Sequence, residues 1–176
     1  SKGKPLINLL EGLQKGEKIA TVVKMSNFDN PDNYIFLVTK NGIVKKTEIK
    51  NFSNVRRKGI YAITIDEGDE LIKAHSVIKD QEVMLFTRHG MAVRFDEEQV
   101  RAMGRTARGV KGVSLKSDDD YVVASEVVTG DEQILVVCDK GYGQRSNVDD
   151  FRKTTRGSKG VRSIITNDRN GLVISA

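Results

Sequence analysis

The chain has 176 residues, 38% apolar but only 6% aromatic with no Trp, so one domain with a Val, Ile and Leu core is expected, which favours strands. Lys and Arg total 29 against 24 acids, a net charge of +5 that by its size is ordinary solubility charge and gains meaning only from its distribution. A single cysteine excludes a disulfide framework, no apolar run approaches the ~20 residues of a membrane span, and no signal peptide opens the chain; these features point to the cytoplasm.

Residues 1–15 read as the tail of a preceding repeat, with Leu9 to Gln14 forming a helical turn or a loop. A short strand is expected from Lys18 to Val23. Next comes a hairpin, Tyr34 to Val38 and Ile43 to Ile49, around Asn41-Gly42, a strong tight-turn signal. A closing strand is expected from Ile60 to Ile65. The same order then returns twice. Leu71 to Val77 and Tyr121 to Val128 are opening strands. The hairpins Glu82–Phe86/Met91–Phe95 and Gln133–Cys138/Tyr142–Ser146 turn at Gly90 and Gly141. Val113 to Leu115 and Val161 to Ile165 close their units. Leu172 to Ser175 begins another opening strand.

Four-stranded units at a period near 50 residues are the mark of radial β repeats. The fold class expected is therefore all-β and propeller-like. About three complete blades are expected, at 16–67, 68–117 and 118–166, with partial blades at 1–15 and 167–176. Such regular self-similarity fits a barrel or a sandwich less well. Three and a half units do not close a ring, so the chain reads as part of a longer protein.

The basic residues are sorted along the chain. Arg56-Arg57-Lys58-Gly59, Arg108-Gly109-Val110-Lys111-Gly112 and Arg156-Gly157-Ser158-Lys159-Gly160 recur with the repeat, and Lys58, Lys111 and Lys159 each precede a glycine. Glycine there lets backbone N–H groups approach a phosphate while lysine supplies charge. A second column, four residues after each hairpin glycine, is Lys46, Arg94 and Arg145. Lys45, Arg101, Arg105, Arg152 and Lys153 complete the candidate phosphate-contacting set. The acids cluster elsewhere, at Asp66-Glu67, Asp96-Glu97-Glu98 and Asp118-Asp119-Asp120. Scarce aromatics favour contact with a duplex backbone over single-strand stacking. No element for reading base edges is visible, so little sequence preference is expected.

Catalytic chemistry is thin. His75 and His89 have no metal-ligand spacing, and no phosphate-binding loop of the Walker type occurs. No nucleophile with a base stands out, and neither a metal nor a cofactor is expected in this chain. A propeller-type protein-interaction module is the alternative reading, and an enzyme with its site in a propeller channel is a more remote one.

Several strings resemble the C-terminal domain of bacterial DNA gyrase A: Pro5-Leu6-Ile7-Asn8-Leu9-Leu10, Asn41-Gly42-Ile43-Val44-Lys45-Lys46-Thr47, Glu82-Val83-Met84-Leu85-Phe86, Val100-Arg101-Ala102-Met103-Gly104 and Asn170-Gly171-Leu172-Val173. The likeness covers essentially the whole chain. The sister domain of topoisomerase IV is similar in design and matches these strings less well. The resemblance implies a β-pinwheel of about six blades that exchange strands, with duplex DNA bent around a basic outer rim. It implies a non-catalytic wrapping module supporting negative supercoiling by an ATP-dependent type II topoisomerase. The implied partners are double-stranded DNA, the N-terminal core of gyrase A, and gyrase B, with ATP and Mg bound on other regions and no membrane. Unpaired strands at the two ends lead us to expect an edge-strand dimer. One departure is clear. The family's box, Gln-Arg-Arg-Gly-Gly-Lys-Gly, is absent, and the strings at Arg108–Gly112 and Arg156–Gly160 look like degenerate copies of it.

Overall fold

A computed structural model of the chain describes residues 3, 5, 10, 16–54, 56 and 58–176. The expected blade tail at 1–15 and the turn at Leu9 to Gln14 lie almost wholly outside the described residues. The chain forms three antiparallel sheets. Their hairpins are β1 (Asn33–Thr39) with β2 (Ile43–Glu48), β4 (Glu82–Thr87) with β5 (Met91–Asp96), and β8 (Gln133–Cys138) with β9 (Gly143–Asn147). The turn glycines Gly42, Gly90 and Gly141 have φ of 81°, 76° and 83°, the left-handed region that a side chain disfavours.

The remaining strands are β3 (Leu71–Ile78), β6 (Val110–Lys111), β7 (Val122–Val128), β10 (Val161–Arg162) and β11 (Val173–Ser175). The sheets run β3-β1-β2-β6, β7-β4-β5-β10 and β11-β8-β9. Four consecutive strands therefore do not form one sheet. Each of the first two hairpins is flanked by two strands from the sequence unit that follows it: β3 beside β1 and β6 beside β2 in the first sheet, β7 beside β4 and β10 beside β5 in the second. The stretches at 18–23 and 60–65, expected as strands, belong to no sheet. The closing strand expected at Val113 to Leu115 lies three residues earlier, at β6.

Alternation along the hairpins sends successive side chains to opposite faces, and in the first two hairpins both faces are covered. Phe36, Val38 and Val44 pack with Val83, Leu85, Val93 and Phe95 of the second sheet. The other face of that sheet sends Met84, Phe86 and Ala92 against Ile134, Val136, Cys138 and Phe151. Phe86 and Phe151 meet edge to face, ring centroids 6.2 Å apart. Each of these Val, Leu, Ile, Met and Phe side chains contributes about 1.5–3 kcal/mol by leaving water, so the stack of sheets is the main source of stability.

Along one edge of the stack β3 lies against β7, and β7 against β11. The His75 ring nitrogen Nε2 sits 3.1 Å from Ser125 Oγ across the first of these junctions. The opposite edges of the first two sheets are β6 and β10. The basic turns lead directly into these outer strands.

Candidate nucleic-acid interface

The outer strands fix the register of the basic turns. Lys111 pairs with Ile43 and Val110 with Val44; Arg162 pairs with Met91 and Val161 with Ala92. Counted from their own hairpin glycines, Lys111 and Arg162 are counterparts, and so are Gly109 and Gly160. Both glycines have positive φ, 104° and 74°, and a Cβ would lie 2.6 Å from the Val44 carbonyl oxygen in one case and closer still to that of Ala92 in the other. No side chain is accommodated there, so these glycines allow the outer strand to close on its hairpin. The column Lys58, Lys111 and Lys159 read from the sequence slips by three residues in the middle unit. The residue matching Lys159 is Arg108. The middle string offers two glycines, and the backbone uses Gly109. In the first unit Gly59 also has positive φ, 76°, and Ile63 is buried four residues later, like Val113 and Ile164. That register puts Lys58 with Arg108 and Lys159, and Tyr61 with Lys111 and Arg162.

Hydrogen bonds stitch the three closing segments into one ribbon. Thr64 donates from its backbone to the Ala107 carbonyl at 3.2 Å and from its hydroxyl to that of Thr106 at 2.6 Å. Gly157 N–H donates to the Gly112 carbonyl at 2.7 Å, and Ser114 N–H to that of Ser158 at 2.8 Å. The Arg156 guanidinium donates to the carbonyls of Lys111 at 2.6 Å and Gln99 at 3.0 Å.

Three expected contact residues do not face outward. Lys45 is fully buried, and its ammonium donates to the carbonyls of Ala62 at 2.5 Å and Arg105. Burial first, and the Arg105 charge second, push it down to about 8. Lys46 is buried against the Glu97 carboxylate, lies 4.6 Å above the Tyr34 ring and donates to the Glu97 carbonyl at 3.2 Å. Arg94 is buried, pairs with Glu82, and donates to the carbonyls of Val148 at 2.8 Å and Phe151 at 3.1 Å. Arg94 thus ties the second sheet to the 3₁₀ turn that follows the hairpin of the third, and Lys46 makes the same tie between the first and the second. The position four after the hairpin glycine faces the neighbouring sheet, which is why a cation there is covered. Only Arg145 of that column is exposed, on the third sheet. Its cross-strand neighbour Leu135 is 55% exposed, whereas the counterparts Phe36 and Met84 are fully buried.

The other candidates divide by partner. Arg108 chelates Asp66 through Nε, 2.7 Å from each oxygen, and that hydrogen bonding holds the Asp66 carboxyl below its usual range. Lys153 is held by Glu82 at 2.7 Å and Asp96 at 2.8 Å. Arg56, Lys58, Arg101, Lys111, Arg145, Arg152 and Lys159 are exposed, Arg105 is half-buried, and none of these makes an ion pair among the described residues. Arg57 lies outside the described residues. Arg162 was missed: it is exposed beside Met91, and only the register of β10 reveals it as the counterpart of Lys111. The ribbon therefore offers uncompensated cations along one edge, a surface suited to repeated phosphates rather than to a single small anion. Among the described residues no group of His, Cys, Asp and Glu could hold a metal ion, and no helix is long and apolar enough to cross a membrane.

A family model described as the DNA gyrase C-terminal domain, beta-propeller, matches residues 33–78, 81–129 and 132–176. The DNA gyrase A polypeptide of Chlamydia pneumoniae is 57% identical over 177 residues, covering 100% of this chain and 21% of the relative. The gyrase A polypeptide of Staphylococcus aureus (strain NCTC 8325 / PS 47) is 38% identical, over 99% of this chain and 20% of the relative. The chain thus spans about a fifth of the length of the curated relatives it matches. Among solved structures, the C-terminal domain of DNA topoisomerase IV superposes with a TM-score of 0.86 at 30% identity, covering 97% of this chain and 53% of that one. The DNA gyrase A C-terminal domain gives 0.82 at 27% identity, covering 98% and 57%.

Proposed function

This chain belongs to the DNA gyrase C-terminal domain family, and on that premise we propose that it binds and bends duplex DNA along its outer ribbon. The single observation that carries this reading is the stitched edge itself: the closing segments join edge to edge and present Lys58, Lys111, Lys159 and Arg162 outward without carboxylate partners among the described residues. A row of exposed cations favours DNA that bends to stay against it, because each added phosphate contact offsets part of the bending cost. The contacts are to the backbone, so sequence preference comes from bendability alone.

The wider role we assign is a wrapping module in the gyrase A polypeptide of an ATP-dependent type II topoisomerase, supporting negative supercoiling in the cytoplasm. The repeats at 16–67, 68–117 and 118–166 each supply one segment of the ribbon. ATP, Mg, the N-terminal core of gyrase A, and gyrase B belong to the rest of that enzyme; this chain performs no bond-breaking step. The corresponding role in topoisomerase IV has the 0.86 superposition in its favour, while the 57% identity to a gyrase polypeptide favours gyrase. ATP-dependent production of negative supercoils from relaxed plasmid is the outcome the gyrase reading requires.

The test is salt-dependent duplex binding by the full-length protein. Log affinity should fall linearly with log salt, and alanine at Lys111, Lys159 or Arg162 should each reduce the slope by about 1. Unchanged slopes for all three variants would remove the ribbon from the interface.

A further inference from the structure

We infer that Tyr61 is a duplex-DNA contact, its phenol O–H donating a hydrogen bond to a phosphodiester oxygen. The inference rests on the outer ribbon being the DNA-binding edge and assigns it a neutral contact beside the cations.

Tyr61 is 82% exposed, the highest value of any large apolar or aromatic side chain among the described residues. Its isolation is specific. Tyr34 lies under Lys46, Tyr121 under both Lys40 and Arg88, and Tyr142 under Arg169, whose Nε also donates to its hydroxyl at 3.0 Å. Tyr61 has neither a cation over its ring nor a partner for its hydroxyl among the described residues. Three of the four tyrosines serve the fold, and this one does not.

Its place in the repeat shows what it faces. Counted from the positive-φ glycine, Tyr61 stands two residues after Gly59, as Lys111 does after Gly109 and Arg162 after Gly160. Lys111 and Arg162 remain exposed although their strands are paired, so the outward direction belongs to the position and not to a lack of neighbours. The backbone that follows it is anchored. The Ala62 carbonyl accepts from the buried Lys45 ammonium at 2.5 Å, and Thr64 donates to Ala107 and Thr106. Exposed Lys58 stands three residues before it. A tyrosine hydroxyl is a normal donor to DNA phosphate, and its ring, with few torsions to freeze, can rest on the sugar. Where the two neighbouring repeats carry a full charge, the first carries a neutral donor.

Neutrality makes the proposal separable from the cationic reading. In the full-length protein, Tyr61→Phe should weaken duplex binding about tenfold at every salt concentration, the loss of one hydrogen bond to a charged group. The slope of log affinity against log salt should not change, because a phenol releases no counterion. Tyr61→Lys should recover affinity at low salt and steepen the slope by about 1. Thermal melting of both variants should match the parent, since the hydroxyl has no partner among the described residues. The proposal is overturned if Tyr61→Phe binds within twofold of the parent. It is also overturned if only Tyr61→Ala is weakened, which would reduce the role to ring contact. A parent protein whose duplex binding does not respond to salt overturns the ribbon reading itself and is told apart by that slope.

Discussion

At the scale of single residues, the clearest lesson concerns cations that look alike in sequence. Lys46, Arg94 and Arg145 share one position in the repeat, yet two are buried ties between sheets and one faces solvent. Nothing in the sequence distinguishes them, because burial is decided by whether another sheet covers that face. Arg94 illustrates the energetics. Removing it leaves Glu82 buried without its guanidinium and frees the Val148 and Phe151 carbonyls. Losing one partner of such a pair costs about 3–5 kcal/mol. Arg94→Met should lower the denaturant midpoint accordingly, and the double variant with Glu82→Met should recover much of it. If the single variant unfolds like the parent, the buried tie contributes nothing. Lys153 also pairs with Glu82, so partial compensation by that ammonium would show itself as a smaller loss.

At the scale of elements, the hairpins were legible and the outer strands were not. Apolar runs ending at Asn41-Gly42, His89-Gly90 and Lys140-Gly141 specify strand, turn and strand with little ambiguity. β6 and β10 are two residues each, too short for any alternation to register. Their placement follows from which glycine tolerates contact with the neighbouring carbonyl, a fact of three dimensions. Strand exchange was implied by the family resemblance but invisible in the repeat spacing, since the same period results whichever neighbour a strand joins.

The junction of β3 with β7 carries a pH dependence. Burial first, and the nearby Lys73 charge second, push the His75 imidazole down to about 4. The unfolded chain, with an ordinary histidine near 6.5, binds the proton more readily. Stability from this site is therefore complete above that value and is lost as pH falls through the window toward about 4. His75→Gln, which retains a polar group toward Ser125, should flatten the unfolding free energy between pH 6.5 and 4. An unchanged acid profile in that variant would place the titrating group elsewhere.

At the scale of the whole molecule, the fold converts a sequence repeat into a line of charge. Stacked sheets place β3, β7 and β11 side by side along one edge, and β6 and β10, with the glycine turns, along the other. Cross-repeat hydrogen bonds then join the turns into one edge. Acids are drawn into structural pairs, Asp66 with Arg108, Glu97 with Lys46 and Glu82 with Arg94 and Lys153, which leaves Lys58, Lys111, Lys159 and Arg162 without an ion pair among the described residues. The modest net charge of +5 understates this separation. The most direct measurement is energy transfer between dyes at the two ends of a duplex of about 40 base pairs, far shorter than its persistence length, bound to the full-length protein. It should be compared with the triple variant Lys111→Ala, Lys159→Ala and Arg162→Ala at low and high salt. The parent should draw the ends together at low salt and release them at high salt, and the triple variant should leave the duplex straight. A triple variant that bends DNA as the parent does would contradict the ribbon reading.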